Sequence, residues 1–285
     1  MSVAVVTDST AYLPRELVAA AATPLTIVPL HVVVGSLDRR ESDVEPDDLA
    51  AALRSFTPVS TSRPTPQAFL GAYEQLAAEG ATSVVSVHLS ADMSGTVQSA
   101  QLAAGQAPLP VTVVDARTLG MAMGYAVLSA AQAAGRGAGP EEVAAVARAR
   151  AAASSVAFYV DTLEHLRRGG RIGAASALLG SALAIKPILT IREGAIEPLE
   201  RVRTSSRALA RLAALALEAA GRAPGVVDVA VQHLDGEARA QGLAQQLRAD
   251  LPADRVGEVV VGQLGAVVGA HVGPGTVAVV VSPRP

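Results

Sequence analysis

Two periods of hydrophobicity alternate along the chain. Short β-branched runs predict buried strands at Val3–Val6, Thr82–Leu89, Val111–Val114, Val156–Val160, Val226–Gln232, Val256–Val261 and Val277–Val281. Leu25–Val34 reads as a further strand, broken or pushed to an edge by Pro29. Ile185–Ile191 and Ala195–Arg201 read as two strands around a Glu193-Gly194 turn. Between these runs, apolar residues recur every three to four positions, as Phe69, Leu70, Tyr73 and Leu76 do in Gln67–Ala78. That spacing predicts helices at Pro14–Ala22, Pro46–Ser55, Gln67–Ala78, Thr96–Ala104, Leu119–Ala134, Pro140–Ala152, Thr162–Arg168, Ala174–Leu183, Thr204–Gly221, Ala238–Leu247 and Ala266–Ala270. Gly35–Asp43 reads as a charged loop and the proline-rich Phe56–Pro66 as another. Strands alternating with helices predict an α/β protein with mostly parallel sheets. The glycine-rich break at Gly135–Gly139 and the helix after it put a domain boundary near residue 153. The expected domains are therefore 1–153 and a smaller 154–285.

The polar stretch Ser90–Gly95 falls where a strand hands over directly to a helix. The first turn of a helix has N–H groups without intrahelical partners and a positive dipole end, so this junction suits an anion. Ser94 offers a hydroxyl, and Gly95 lets the backbone approach closely. The blander alternative is that Ser94 or Ser90 caps the helix. Thr7–Thr10 also lies at a strand end, where ligands of such folds gather.

Composition narrows the chemistry. The 285 residues are half apolar but only 2% aromatic, so the core is built from small aliphatic side chains. A net charge of -3 without a basic tail argues against nucleic acid. No cysteine is present, which removes disulfides and thiolate metal sites, and the five histidines lack metal-ligand spacing. No apolar run reaches the about 18 residues of a membrane span, and the N-terminus reads as a strand rather than a signal peptide. A cytoplasmic protein without metal or cofactor is expected. Lys186 is the single lysine beside 22 arginines, and either chance or a role that arginine cannot fill accounts for it.

The remaining candidates each have an ordinary reading beside the functional one. Arg203 alternates with Arg201, so both arginines would share one strand face, as anion ligands or as a solvated edge pair. His271 sits in the glycine-rich GAHVGPGT and either binds an anion or makes one backbone hydrogen bond. Arg167, Arg168 and Arg171 cluster at a helix C-terminus, which the dipole alone would explain. Ser94 lies outside any G-x-S-x-G motif, and no P-loop or G-x-G-x-x-G follows a strand. The residues suit holding an anion better than transforming one.

Taken together, TDST (7–10), TSRPTP (61–66), LSADMSGTVQSA (89–100), VVDA (113–116), LRRGGRIG (166–173), IKPIL (185–189), RVRT (201–204) and HVGPGT (271–276) resemble the successive signatures of the DegV family. The resemblance implies an N-terminal α/β domain with a mostly parallel sheet of the dihydroxyacetone-kinase type. It also implies a smaller C-terminal α/β domain that closes a slot for a long-chain fatty acid. In some bacteria such proteins are the acyl-carrying subunit of a fatty acid kinase that feeds phospholipid synthesis. They present the carboxylate to a separate ATP-binding kinase and keep the acyl phosphate. By motif, the carboxylate contacts fall on Thr61 or Ser62 and on Ser94 with the Gly95 amide. The acyl-phosphate contacts fall on Arg203 and His271, and kinase docking falls on Arg167, Arg168 and Arg171. Three departures stand out: Arg63 where glutamine is commoner, His88 where serine is frequent, and Ala116 in place of a frequent serine. In such a slot each buried methylene contributes about 0.8 kcal/mol, so the tail supplies affinity and the clamp orientation. Met93, Met121 and Met123 are candidate slot lining, or ordinary core. Two rival functions remain: a serine esterase or acyl hydrolase using Ser94 and His271, and a binding module for a small phosphorylated or polyol ligand.

Overall fold

The computed structural model describes residues 2–178 and 185–285. The described strands are β1 (Val3–Asp8), β2 (Leu25–Val28), β3 (His31–Val34), β4 (Leu37–Arg40), β5 (Val59–Ser62), β6 (Ser83–His88), β7 (Val111–Asp115), β8 (Ser155–Tyr159), β9 (Lys186–Arg192), β10 (Ala195–Val202), β11 (Val227–His233), β12 (Val256–Gln263) and β13 (Val277–Pro283). The α-helices are α1 (Arg15–Ala19), α2 (Pro46–Arg54), α3 (Pro66–Ala78), α4 (Thr96–Ala104), α5 (Met121–Gly135), α6 (Pro140–Ala153), α7 (Glu164–Arg168), α8 (Ser205–Arg222), α9 (Glu237–Asp250) and α10 (Ala266–Val272). The α/β class expected from the pattern is the observed one.

The chain divides into two units: Met1–His31 with Ser62–Ala153 and Pro285, and Val32–Thr61 with Ser154–Arg284. The change near residue 153 is joined by an exchange the pattern does not announce. Residues 32–61 pack with the second unit, which makes that unit the larger. Side-chain chemistry explains the exchange. The buried Glu41 carboxylate accepts the Val267 amide at 2.7 Å, at the start of α10. Leu49 packs so tightly against Gly269 that a Cβ there would lie 2.6 Å from its Cδ2.

The first unit is a four-stranded sheet in the order β2-β1-β6-β7, with every pairing parallel. Every position of β1 and β6 is buried, as expected of strands covered on both faces. Ala4, Val6 and Val84 share one face with Phe69, Tyr73 and Leu76 of α3 and Ala100 and Ala103 of α4. Small residues of α5 lie against β1 and β6.

The second unit has a six-stranded sheet, β10-β9-β8-β13-β11-β12. Only β11 and β12 pair in parallel; the other pairings are antiparallel, so the expectation of mostly parallel sheets holds for the first unit alone. The tight Glu193-Gly194 turn and the direct return of β13 between β8 and β11 produce the antiparallel pairs. Helices α8 and α9 cover one face through Ala208, Leu212, Ala216, Leu243 and Leu247.

Several local expectations change. Leu25–Val34 is two strands, split at Pro29-Leu30. Gly35–Asp43 holds β4 and a 3-10 turn, and Phe56–Pro66 holds β5; with β3 they form the three-stranded sheet β4-β3-β5. Both strands lack apolar alternation, because β4 is exposed at all four positions and β5 is polar. Gly173–Leu178 is a 3-10 turn rather than the start of an α-helix, and the rest of the helix expected over Ala174–Leu183 lies outside the described residues.

Candidate functional site

In the first unit β6 ends at His88, and the following loop is held by backbone and carboxylate contacts. Ser90 N donates to Thr118 O at 3.0 Å, and Ala91 N donates to the Asp115 carboxylate at 3.3 Å. Ser90 O accepts the amides of Met93 and Ser94 at 3.0 and 3.1 Å. Helix α4 then starts with Gly95 as its N-cap, and no side chain caps it. Ser90 Oγ accepts the Asp92 amide at 3.2 Å, and Ser94 Oγ pairs with Thr96 Oγ1 at 2.9 Å. Neither serine therefore takes the capping role. Among the described residues, the amides of Gly95, Thr96, Val97 and Gln98 have no acceptor. The loop thus presents a hydroxyl and four open N–H groups at the positive end of a helix, the arrangement that holds a carboxylate or phosphate.

Behind this loop lies a buried polar chain. Asp8 accepts the Leu89 amide at 3.1 Å, the Thr10 amide at 3.0 Å and the Thr10 hydroxyl. Its carboxylate also lies 3.0 Å from His88 Nδ1, while His88 Nε2 lies 2.6 Å from Ser86 Oγ, to which Tyr73 OH donates at 2.9 Å. Burial pushes the Tyr73 phenol up to about 12. The Ser86–His88–Asp8 connectivity copies that of a hydrolase triad. All three residues, and Tyr73, are 0% exposed, so no substrate reaches Ser86. The chain is a core tie that fixes the end of β1 against the start of the Ser90–Gly95 loop. Composition gives no sign of it, since its members come from positions 8, 73, 86 and 88.

In the second unit His271 Nε2 lies 2.9 Å from Thr61 Oγ1, and His271 Nδ1 is buried without a partner. A neutral ring carrying its proton on Nε2 leaves only an acceptor unsatisfied, whereas the other tautomer would bury an unpaired donor; we assign the first. His271 then donates to Thr61, whose own hydroxyl proton is free to point at a ligand. Burial, with Arg171 nearby, pushes the imidazole down to about 4, so the ring is neutral near pH 7. Gly169 permits this placement, because a Cβ there would overlap His271 Nδ1. Gly273, at φ +79, lies against His165 in the same way. The His165–Gly173 and GAHVGPGT segments are therefore fitted to each other, glycine to imidazole, in both directions.

The other candidates are placed as follows. Thr61 and Ser62 are consecutive in β5, so their side chains point to opposite faces, and Thr61 is the one at His271. Arg203 lies beyond the end of β10 rather than on a strand face with Arg201, exposed in the turn that leads to the Thr204 cap of α8. Arg167 and Arg168 both hold Glu164, whose carboxyl the Arg167 hydrogen bond draws down to about 2, and Arg171 donates to Gly169 O at 2.7 Å. Met121 and Met123 are fully buried in α5, and Met93 is half-buried in the loop. Lys186 Nζ donates to both the backbone oxygen and the carboxylate of Asp161, at 3.0 and 3.1 Å. A compact ammonium makes both bonds from one point, which a planar guanidinium does not. Among the described residues no group of His, Asp and Glu could hold a metal ion, and no helix is long and apolar enough to cross a membrane.

Fold and site define a two-unit α/β protein with an uncapped, hydroxyl-flanked helix start at a strand end, an arrangement whose open amides suit an anion. The chain belongs to the DegV family: the family model described as "Uncharacterised protein, DegV family" matches residues 2–284. It is 50% identical to a DegV domain-containing protein of Streptomyces coelicolor over 283 residues, 99% of each chain. It is 39% identical to one of Mycobacterium tuberculosis over 286 residues, 99% of this chain and 97% of the relative. Among solved structures it is similar to a fatty-acid-binding DegV family protein of Thermus thermophilus (TM-score 0.92, 34% identity, all of both chains). It is also similar to DegV of Bacillus subtilis, described as a fatty acid binding protein (TM-score 0.88, 31% identity, all of both chains).

Proposed function

We propose that this protein binds a long-chain fatty acid and presents its carboxylate to a separate ATP-binding kinase in the cytoplasm, keeping the acyl phosphate that results. The observation that carries the reading is the open start of α4, where Ser94 and four amides are without a capping side chain. The fatty-acid-binding descriptions of similar structures supply the ligand class. In this reading the carboxylate contacts are those the family motifs imply: Ser94 with the Gly95 amide, and Thr61 or Ser62. Met93, Met121 and Met123 are slot lining. The protein is a carrier, not a catalyst, and needs no cofactor of its own. The carboxylate oxygen attacks the γ-phosphorus of ATP on the kinase, and ADP leaves.

The phosphate end falls to Arg203 and to His271, which acts through the Thr61 hydroxyl it orients. Arg203 is exposed and has no acid partner among the described residues, which suits a guanidinium waiting for phosphate. Arg167, Arg168 and Arg171 form the face that meets the kinase. The esterase alternative needs Ser94 bonded to a base, but its hydroxyl partner is Thr96, while His271 is bonded to Thr61. Losing a hydrogen bond to a charged group costs about 1.5–3 kcal/mol, roughly 10- to 100-fold. Arg203→Ala is therefore expected to slow kinase-dependent acyl phosphate formation by about that factor while leaving fatty acid affinity intact. Ser94→Ala is expected to weaken fatty acid binding itself. Equal loss of fatty acid binding in both variants would overturn the division between carboxylate and phosphate ends. Hydrolysis of acyl esters by the protein alone, abolished in Ser94→Ala, would establish the esterase instead.

A further inference from the structure

Arg63 holds an unusual position in the first unit. Its side chain is exposed, yet its guanidinium lies directly over Gly95, the N-cap of α4. A Cβ added at Gly95 would overlap Nη1 and lie 2.9 Å from Cζ and 3.0 Å from Cδ. The backbone that carries Arg63 is restrained. Pro64 is buried and biases residue 63 toward an extended conformation, and Thr65 caps α3 by accepting the Ala68 amide at 3.2 Å. Among the described residues Arg63 has neither a carboxylate partner nor a hydrogen bond. A permanent cation thus lies beside Gly95, at the start of α4, without an acidic partner among the described residues.

We infer that Arg63 is the specificity-determining residue that makes this site demand a charged head group. The inference rests on the fatty-acid reading above and adds a division of labour to it. The Ser94 hydroxyl and the α4 amides recognise an acceptor oxygen, which a neutral alcohol also offers. Arg63 supplies the full charge that distinguishes a carboxylate from such a neutral analogue, beyond the partial charge of the helix end, because its gain depends on the ligand's charge. The Gly95 side of the site is shaped for this, since any side chain there would displace the guanidinium.

The test compares palmitate with hexadecan-1-ol, a ligand of the same tail and no charge. Affinities are measured on the delipidated full-length protein near pH 8, at low and high salt, for the native protein and for Arg63→Gln, Arg63→Lys and Gly95→Ala. The inference predicts that Arg63→Gln weakens palmitate binding about 10- to 100-fold, leaves hexadecanol binding unchanged and markedly reduces the salt dependence of palmitate affinity. Arg63→Lys is expected to keep the salt dependence and recover part of the affinity. Gly95→Ala, with φ near -74 and therefore no backbone strain, is expected to mimic Arg63→Gln by moving the guanidinium aside. If Arg63→Gln binds palmitate like the native protein, with the same salt dependence, the inference is wrong and the fatty-acid reading stands. An equal loss for palmitate and hexadecanol would make Arg63 a structural support and overturn the inference too. If the native protein takes up neither ligand, the fatty-acid reading falls and this inference with it.

Discussion

His88 in the first unit and His271 in the second occupy opposite kinds of environment. His88 is fully buried, with Asp8 on one ring nitrogen and Ser86 on the other. His271 uses one nitrogen on Thr61 and leaves the other without a partner against Gly169. A satisfied imidazole between a carboxylate and a hydroxyl is locked and serves stability. An imidazole with a single partner, packed on a glycine and kept neutral, sets the direction of one hydroxyl proton. Connectivity alone would point to His88, since Ser86–His88–Asp8 looks like a triad, but none of the three residues is exposed. Access decides otherwise.

The largest effect expected from this contrast is in the core tie. Asp8→Ala removes the acceptor for two amides, a hydroxyl and an imidazole at a fully buried position. It is expected to destabilise the protein by about 3–5 kcal/mol in denaturant titrations. A loss below about 1 kcal/mol would show that the chain is not what fixes the loop. Next comes the glycine–imidazole fit. Gly169→Ala is expected to cost about 1–3 kcal/mol through overpacking, and most of that cost is expected to vanish in a His271→Ala background. Additive effects in that double-mutant cycle would contradict the fit.

Acid sharpens the same contrast. His271 titrates at about 4 when folded and near 6.5 when unfolded, so its contribution is complete above pH 6.5 and is lost as pH falls toward 4. By pH 5 this amounts to about 2 kcal/mol, and burial draws His165 and His233 in the same direction. Stability measured at pH 7.5 and pH 5 is expected to fall by less in His271→Gln than in the native protein. An unchanged pH dependence would place the acid sensitivity elsewhere. The smallest effect concerns the arginine face. Glu164 is only part-buried and its partners Arg167 and Arg168 are exposed, so Glu164→Gln is expected to leave the melting temperature nearly unchanged. The same variant is expected to speed kinase-dependent phosphorylation at low salt by raising the local positive charge.

Much of the scaffold was legible because one period dominates each element. Thr96–Ala104 is helical over the expected residues, and the β1 and β6 runs are buried strands as their β-branched composition requires, with β7 a partly buried strand at the sheet edge. β4 and β5 were hidden because sheet pairing, not apolar alternation, holds Leu37–Arg40 and Val59–Ser62 extended. The exchange of residues 32–61 was hidden because it is anchored by scattered side-chain contacts, such as Glu41 with the Val267 amide, Leu49 against Gly269 and Asp47 with Gln263, and none leaves a periodic trace. At the site, the strand-to-helix turn was readable locally, but three features were not. The Thr61–His271 bond spans 210 positions. The fit of Gly169 to an imidazole, and of Gly95 to a guanidinium, depends on space that only the folded backbone defines.

The central claim is that an acyl chain ends at the Ser94–Gly95 turn. Native mass spectrometry of the purified protein, before and after denaturation, tests it most directly. The account predicts about one bound fatty acid per chain, released on unfolding, reloaded from added palmitate, and markedly depleted in Ser94→Ala. A native protein that carries no acyl chain and takes up none, or a Ser94→Ala variant that holds palmitate as tightly as the native protein, would contradict it.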